Sequence, residues 1–207
     1  MRTKQRLKPS TTYVLVISLL TAGLFTNNFL AVKLLGQERK AESRKLESGD
    51  KAIAFKGLDA DGLAFEFEPE KSGRWTVLVF LRGYPGYQCP LCSRQVGELI
   101  GKADEFGAAR TDLLFVYPGV AKDLNAKSKE FMAGKLLPPN FKMIVDSDYK
   151  IVNAYRLRWE APRETAYPAT LVIDPTGVVR YTKISETHGD RAPVKDVLNA
   201  IGTNATK

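Results

Sequence analysis

Cys89 and Cys92 are the only cysteines in this 207-residue chain, and their position constrains its fold more than any other feature. They lie where an apolar strand pattern over 75–81 gives way to a helical pattern from 92 to about 106. At such a junction, backbone N–H groups and the positive end of the helix dipole stabilise a thiolate. The pKa of a cysteine there falls from about 8.5 to roughly 3.5–7.5. Pro90 suits the first helical position, where its missing N–H costs nothing. The spacing therefore predicts a redox-active dithiol.

Two other uses of the cysteine pair are disfavoured by the rest of the chain. A structural zinc ion needs four ligands, but the chain has no second cysteine pair and a single histidine, His188. A disulfide that closes so short a loop constrains the unfolded chain too little to serve stability. Redox chemistry is the preferred interpretation.

The net charge of +8 belongs mainly to the N-terminus. Residues 1–51 hold ten Lys/Arg and four Asp/Glu, which leaves twenty-one basic and nineteen acidic residues in 52–207. Because the remainder is nearly neutral, the basic pI does not indicate nucleic-acid binding.

The N-terminal segment 1–35 has the pattern of a membrane signal-anchor. Four basic residues precede the 24 uncharged residues 9–32: Arg2, Lys4, Arg6 and Lys8. A helix of that length spans roughly 36 Å, enough for a bilayer core of about 30 Å. The positive-inside rule keeps the basic tip in the cytoplasm. We expect a single-pass transmembrane helix in the cytoplasmic (inner) membrane, with the domain on the extracytoplasmic, periplasmic side.

A cleaved signal peptide is the alternative for this segment. Asn27 and Asn28 leave a shorter apolar run over about 13–25, which also suits the hydrophobic region of a signal peptide, and the domain would then be secreted. No clean Ala-x-Ala cleavage signature follows, which favours the anchor. We expect the polar segment 36–48 to be a solvated stalk and 49–207 to form the domain.

Strand and helix patterns alternate from residue 49 onward. A hairpin with strands over 52–58 and 63–67 turns at Asp61-Gly62. Further strands are predicted over 75–81, 113–117, 143–145, 170–173 and 178–181, and helices over 92–106, 122–132, 151–157 and 194–201. Pro118-Gly119 is expected to close its strand, and Gly202 to end the last helix. This order predicts an α/β fold, a mixed central sheet flanked by helices on both faces.

Three stretches of the chain resemble the thioredoxin superfamily, in particular its AhpC/TSA (redoxin, peroxiredoxin-like) branch. They are the opening Gly49-Asp50-Lys51-Ala52 with Asp61-Gly62, the strand and active loop over 77–92, and the segment over 167–177. The resemblance covers roughly 49–202 and implies a thioredoxin-like fold.

The active loop departs from the peroxiredoxin pattern. Peroxiredoxins carry Tyr-Pro-x-x-x-Thr-x-x-Cys, in which the last cysteine attacks peroxide. Here the loop reads Tyr84-Pro85-Gly86-Tyr87-Gln88-Cys89-Pro90-Leu91-Cys92. Cys89 occupies the threonine position and Cys92 the peroxidatic position, so the motif becomes a thioredoxin-type dithiol.

Pro168 marks a second departure. Peroxiredoxins have an arginine at the matching position that binds and polarises the peroxide. Thioredoxins have a proline there with a cis peptide bond, which lies against the disulfide and helps to hold the substrate chain. The resemblance thus implies a cis peptide bond before Pro168 and a role for Pro168 in the site. The alternative from the residue alone is an ordinary proline at the start of a strand.

Both departures favour thiol–disulfide exchange. With the anchor expected over 1–35, the expected function is that of a membrane-anchored thiol–disulfide oxidoreductase. Cys89, at the helix start and expected to be the more exposed sulfur, would attack a substrate disulfide, and Cys92 would resolve the mixed disulfide. The alternative is a peroxiredoxin-like antioxidant peroxidase in which Cys92 attacks peroxide and Cys89 resolves. A non-catalytic or metal-handling module is less favoured, because the histidine of copper chaperones is replaced around Ala166.

Further residues complete the expected site. Tyr84, Pro85 and Tyr87 beside the thiols, and Tyr167 beside Pro168, are candidates for substrate binding. Arg82 and Arg94 flank the loop and could replace the missing arginine, although each also reads as a solvated charge. No phosphate-binding loop or serine-nucleophile elbow occurs, so no cofactor is expected. The expected partners are protein or small-molecule disulfides and thiols, with a membrane or soluble thiol as electron donor.

Overall fold

A seven-stranded mixed sheet, in the order β2-β1-β5-β4-β3-β6-β7, forms the centre of the folded unit. The computed structural model describes residues 44–120 and 122–205, with side chains to 202. The strands are β1 (Phe55–Asp59), β2 (Ala64–Phe67), β3 (Trp75–Phe80), β4 (Thr111–Gly119), β5 (Phe141–Ser147), β6 (Ala169–Ile173) and β7 (Val179–Ile184). The β3–β4 and β4–β5 pairs are parallel, and the other pairs are antiparallel. The predicted mixed sheet is confirmed.

Five helices accompany the sheet in the described part of the chain. They are α1 (Pro90–Ile100), α2 (Ala103–Ala108), α3 (Leu124–Met132), α4 (Lys150–Ala154) and α5 (Val194–Ala205). Central strand β3 is buried at every residue, as its unbroken apolar sequence predicts for a strand covered on both faces. Its alternate side chains supply two separate cores: Val77 and Val79 pack on one face, and Leu78 and Phe80 on the other.

Several predicted boundaries differ from those of the structure, and three of the differences have a clear physical reason. The helix expected over 92–106 is two helices separated at Gly101-Lys102, because a glycine weakens a helix interior and Phe106 must turn into the core. Strand β4 continues through Pro118 to Gly119, since Pro118 offers its carbonyl to the Tyr84 N–H (3.0 Å) while its neighbours pair with β5. Helix α5 runs past Gly202, because one exposed glycine costs only about 1 kcal/mol.

The compact unit begins at Lys45. Leu46 packs against the core that contains Leu78, and the Ser48 hydroxyl donates to the Arg180 carbonyl (3.1 Å). Within residues 44–120 and 122–205, no helix is long and apolar enough to cross a membrane. The expected anchor over 1–35 and most of the expected stalk over 36–48 lie outside the described residues.

The active loop leaves the sheet where three strand ends meet. Phe80, the last residue of β3, pairs with Ala169 of β6, and Ala169 also pairs with Ile184 at the end of β7. The loop after β3, the segment before β6 and the loop after β7 therefore share one end of the sheet. This register decides which residues can reach the cysteines.

Candidate active site

Cys89 is the N-cap of α1, as the sequence predicts. Its backbone is extended (φ −83°, ψ 112°), and its sulfur accepts a hydrogen bond from the Cys92 N–H (3.4 Å). Pro90 follows as the first helical residue, where no N–H is needed. The sulfur thus replaces the hydroxyl or carboxylate that usually caps a helix, and the cap favours its ionised form.

Cys92 lies one turn further into the helix. Its sulfur accepts a hydrogen bond from the backbone N–H of Arg82 (3.3 Å), which is the second residue after β3. Both cysteines are reduced and buried, with exposed fractions of 3 % for Cys89 and 1 % for Cys92. The two sulfurs therefore sit beneath the surface, where charged neighbours act strongly on them.

The two thiols have opposite acidities. The hydrogen bond from the Cys92 thiol is the main reason why the pKa of Cys89 falls to about 5, despite burial that opposes it. The Cys92 N–H and the charges of Arg191 and Arg82 lower it further. The pKa of Cys92 is raised by the same bond between the sulfurs and by burial. At neutral pH the pair therefore consists of a Cys89 thiolate and a Cys92 thiol.

Arg191, from the loop between β7 and α5, reaches both sulfurs. Its Nη2 lies 3.5 Å from Cys92 Sγ and 3.9 Å from Cys89 Sγ. Its Nη1 donates to Gln95 Oε1 (2.9 Å), and its Nε donates to the His188 carbonyl (2.8 Å). A guanidinium group held in this way supplies a fixed positive charge beside the thiolate.

Gln95 is itself anchored on the sheet. It belongs to α1, is 5 % exposed, and donates through Nε2 to the Thr170 hydroxyl of β6 (3.4 Å). The position of Arg191 is thus set by the same helix that carries both cysteines.

Arg82 does not reach the sulfurs with its side chain. The guanidinium is 3 % exposed and forms a two-pronged ion pair with Glu164, at 2.8 and 3.0 Å. It also donates to the Arg163 carbonyl (2.7 Å) and to the Tyr87 hydroxyl. The interpretation of Arg82 as a solvated charge is therefore wrong, because the side chain is buried and paired. Arg94, by contrast, is 66 % exposed beside Glu98.

A cleft of about 290 Å³ borders the reactive sulfur. Its lining combines apolar, polar and charged side chains around Cys89: Gln88, Pro90, Ser93, Glu130, Phe131 and Lys135. Cys92 does not line this cleft. Two larger cavities, of about 360 and 430 Å³, lie elsewhere and touch neither cysteine. A reactant in this cleft therefore meets Cys89 rather than Cys92.

The expected substrate-binding residues of the loop lie beside this site. Tyr87 is 47 % exposed, with its ring over the Arg82 guanidinium (4.9 Å). Tyr84 and Pro85 are half-buried, and the Lys127 ammonium lies 5.1 Å from the Tyr84 ring. Their assignment to substrate binding stays a prediction.

Tyr167 has both ring faces occupied. Trp159 stacks on one face at 4.7 Å, and the Lys45 ammonium lies 3.9 Å from the ring centre. Its N–H donates to the Leu157 carbonyl (2.8 Å). Only a rearrangement of these neighbours would let the Tyr167 ring stack on a substrate.

The cis peptide bond implied before Pro168 is wrong, because this bond is trans. The chain runs extended into β6. The Tyr167 N–H donates to the Leu157 carbonyl, and the Pro168 carbonyl accepts a hydrogen bond from the Ser185 N–H (2.8 Å). The group that lies against both sulfurs is the Arg191 guanidinium. A role for Pro168 in the site stays a prediction.

His188 is tied to the same network rather than free in its loop. Its Nε2 lies 3.0 Å from Glu164 Oε1, and its ring packs 5.3 Å from that of Trp159. In the described part of the chain no three side chains of His, Cys, Asp or Glu are grouped as metal ligands. The site is therefore a dithiol with the Arg191 guanidinium against both sulfurs and the Arg82 guanidinium paired with Glu164 nearby.

Sequence reasoning missed Arg191, Gln95 and Glu164. Arg191 lies 99 residues after Cys92, and no local pattern joins the two. A signal did exist: the hairpin register places the end of β7 at the same end of the sheet as the active loop. A basic residue soon after that strand was therefore a candidate.

The comparisons with known proteins agree with this fold. Residues 48–182 match the AhpC/TSA family. The chain belongs to the AhpC/TSA family. This is a family of thioredoxin-fold redox proteins, so redox enzyme activity is the class of function that the family carries. No curated protein matches the chain significantly.

Solved structures from the same fold superpose well on this AhpC/TSA protein. Mycobacterium tuberculosis AhpC has a TM-score of 0.61 at 19% identity, covering 79% of this chain and 95% of that one. A peroxiredoxin-like protein from Aquifex aeolicus has a TM-score of 0.61 at 17% identity, covering 78% and 90%. The peroxidoxin BcpB from Mycobacterium tuberculosis has a TM-score of 0.60 at 18% identity, covering 77% of this chain and 98% of that one. At these identities the likeness establishes the thioredoxin-like fold.

Proposed function

We propose that this protein is a thiol–disulfide oxidoreductase whose redox centre is the Cys89–Cys92 pair. The observation that carries the proposal is the asymmetry of the two sulfurs. Cys89, with its pKa near 5, borders the cleft, whereas Cys92 holds its proton beneath it. An exchange reaction needs this division between an attacking thiolate and a second thiol that waits for the intermediate.

The reaction proceeds in two displacements. The Cys89 thiolate attacks one sulfur of a substrate disulfide, forms a mixed disulfide, and releases the other substrate sulfur as a thiolate. Cys92, losing its proton, then attacks Cys89 Sγ, which closes the Cys89–Cys92 disulfide and releases the second substrate sulfur. Two electrons pass from the dithiol to the substrate, and the same steps in reverse oxidise a substrate dithiol.

Arg191 serves both displacements. Its guanidinium stabilises the Cys89 thiolate before attack and, at 3.5 Å from Cys92 Sγ, stabilises the negative charge that develops when Cys92 loses its proton. It lies within reach of both sulfurs without a change of partner.

A peroxidase is the second candidate, and Arg191 is the observation that favours it. A fixed guanidinium beside Cys92 could polarise a peroxide, as the arginine missing at position 168 would. Cys92 would attack one peroxide oxygen, form a sulfenic acid and release water or an alcohol, and Cys89 would condense with it to the disulfide and a second water. The raised pKa of Cys92 weighs against this order of events.

Single-cysteine variants of the full chain separate the two candidates. Exchange predicts that Cys89→Ser abolishes reduction of a small disulfide, whereas Cys92→Ser traps a mixed disulfide visible by mass spectrometry. A peroxidase beginning at Cys92 predicts that Cys89→Ser still consumes one equivalent of hydrogen peroxide at the wild-type rate. That second result, with no trapped mixed disulfide, would reverse the ranking.

The anchored location is also part of the proposal. It rests on the uncharged segment 9–32 behind its basic tip, with a thiol electron donor, membrane-bound or soluble, to restore the dithiol. Protease added to spheroplasts, whose outer membrane is opened and whose cytoplasmic membrane is intact, should digest the domain over 49–207. Digestion only after the cytoplasm is opened would refute this topology.

A further inference from the structure

Arg191 owes its position to a carbonyl that a side-chain contact holds in place. Its Nε donates to the His188 carbonyl (2.8 Å), while Nη1 donates to Gln95 and Nη2 faces the sulfurs. Gln95 is fixed within α1. His188 lies in the loop after β7, and a loop backbone does not by itself fix the direction of the His188 carbonyl. The direction of the guanidinium therefore depends on what holds His188.

Glu164 holds His188 by its ring. Glu164 Oε1 lies 3.0 Å from His188 Nε2, and since a carboxylate only accepts, the imidazole donates through Nε2–H. The imidazole is 39 % exposed, whereas the Glu164 side chain is 11 % exposed. A largely buried carboxylate thus fixes a loop residue that would otherwise face water.

The same carboxylate is fixed from its other side. Glu164 accepts two hydrogen bonds from Arg82, whose backbone N–H donates to Cys92 Sγ. Glu164 therefore joins the two chain segments that touch the sulfurs, the loop after β3 and the loop after β7. Nothing in the exchange steps uses this carboxylate directly.

We propose that Glu164 is a positioning residue: through its hydrogen bond to His188 it holds the carbonyl that orients the Arg191 guanidinium over the two sulfurs. The proposal rests on the dithiol of the proposed function and deepens it. The Glu164–His188 contact controls how much of Cys89 is present as thiolate, and hence its reactivity with any electrophile that enters the cleft. Glu164 touches neither sulfur, and because it also holds Arg82, the test isolates its contact with His188.

The test measures the pH dependence of Cys89 alkylation by iodoacetamide in the reduced full chain. Variants at His188 are preferred to variants at Glu164, because removal of Glu164 leaves the Arg82 charge buried and unpaired, and the chain could fail to fold. His188→Ala removes the donor to Glu164 and should move the alkylation midpoint to higher pH. His188→Gln keeps a donor and should restore most of the wild-type profile.

Arg191→Gln shows how far the alkylation midpoint moves when the guanidinium is lost. It also tests whether Glu164 and His188 act through Arg191. It should move the midpoint upward by about one pH unit, since it removes a positive charge in contact with the thiolate. If Glu164 and His188 act through Arg191, then His188→Ala adds little in the Arg191→Gln background. Lys183→Gln is the matched control. It breaks the ion pair between Lys183 of β7 and Asp190, which lies in the same loop as His188, and should leave the alkylation profile unchanged.

Two results would overturn the proposal. One is a wild-type alkylation profile in His188→Ala, with folding verified by circular dichroism. The other is a shift in His188→Ala that adds in full to that of Arg191→Gln. Because alkylation is independent of turnover, loss of disulfide exchange with this pattern intact would refute the proposed function and leave the positioning role standing.

Discussion

Cys89 and Cys92 occupy one helical turn, yet they are chemically unlike. Cys89 caps the helix and receives the Cys92 N–H, whereas Cys92 is one turn inside and receives the Arg82 N–H. The bond between the sulfurs then places the shared proton on Cys92. The acidity of each thiol is thus a property of the pair, and the Arg191 guanidinium is the fixed charge in contact with both sulfurs.

Alkylation of the reduced wild-type chain should show this asymmetry directly. The pKa of Cys89 is about 5, so its rate of reaction should be nearly constant above pH 6 and should fall as pH drops through 5, where the thiolate takes up a proton. Cys92→Ala removes the main hydrogen bond to Cys89 and should raise the midpoint, by about one pH unit or more.

The measurement is the pseudo-first-order rate with iodoacetamide between pH 4 and 9, with the modified residue identified by mass spectrometry. Cys92→Ser, which keeps a hydroxyl donor, is the control and should shift the midpoint less than Cys92→Ala. A midpoint near 8.5 in the wild type would contradict the assignment of Cys89 as the attacking thiolate.

At the scale of the element, the active loop after β3 depends on close backbone contact with β4. Gly83 has a φ of +64°, and a Cβ there would lie 1.9 Å from the Pro118 carbonyl oxygen. That carbonyl also accepts the Tyr84 N–H. The loop can therefore begin its turn only where a side chain is absent, and this contact places the Arg82 N–H under Cys92.

Gly83→Ala should destabilise the protein by about 2–3 kcal/mol, because the left-handed backbone is strained and the methyl group meets backbone atoms. It should also slow alkylation of Cys89, since the loop must move. Gly86→Ala is the matched control in the same loop: its φ is +116°, but a Cβ there has open space around it.

Urea unfolding and alkylation rates of both variants provide the measurement. The expected result is a much larger loss of stability in Gly83→Ala than in Gly86→Ala, with slower alkylation confined to Gly83→Ala. Equal losses in both would mean that backbone strain, not the contact with Pro118, determines the conformation of this loop.

At the scale of the whole molecule, the redox state should change the stability of the fold. In the reduced state the Arg191 guanidinium faces a thiolate, and in the oxidised state it faces a neutral disulfide. A short disulfide ring adds little stability by constraining the unfolded chain. The charge contact therefore favours the reduced protein, which makes the disulfide the more oxidising.

The Tm of the reduced full chain should exceed that of the oxidised chain by an amount that grows with pH. The folded pKa of Cys89, about 5, lies below its unfolded value of about 8.5. The thiolate contribution is therefore complete above pH 8.5 and is lost as pH falls towards 5. Between pH 5 and 8 the extra stability of the reduced form should grow by on the order of 4 kcal/mol, or roughly 8–16 °C in Tm.

Calorimetry of the reduced and oxidised protein at several pH values is the measurement, because groups that titrate alike in both forms cancel in the difference. Arg191→Gln should reduce the difference at pH 8. A difference that stays constant with pH would show that the Cys89 thiolate contributes nothing to folding.

Local sequence determined the elements that carry the cysteines. The apolar strand, the Cys-Pro-Leu-Cys turn and the amphipathic helix each lie within a few residues of one another, so propensity and periodicity suffice to predict the cap at Cys89. The turns at Asp61-Gly62 and over 174–177 were equally local, since side-chain and backbone bonds within four residues form them.

Only the tertiary structure decided what surrounds the sulfurs. Glu164 lies 82 residues after its partner Arg82, and Arg191 lies 102 residues after Cys89. Both are brought to the site by the register of β3, β6 and β7. The trans bond before Pro168 was likewise shown only by the structure, since the resemblance implied the cis form. Charge and hydrogen bonding act through space, so the acidity of Cys89 depends on contacts that no local pattern in the chain contains.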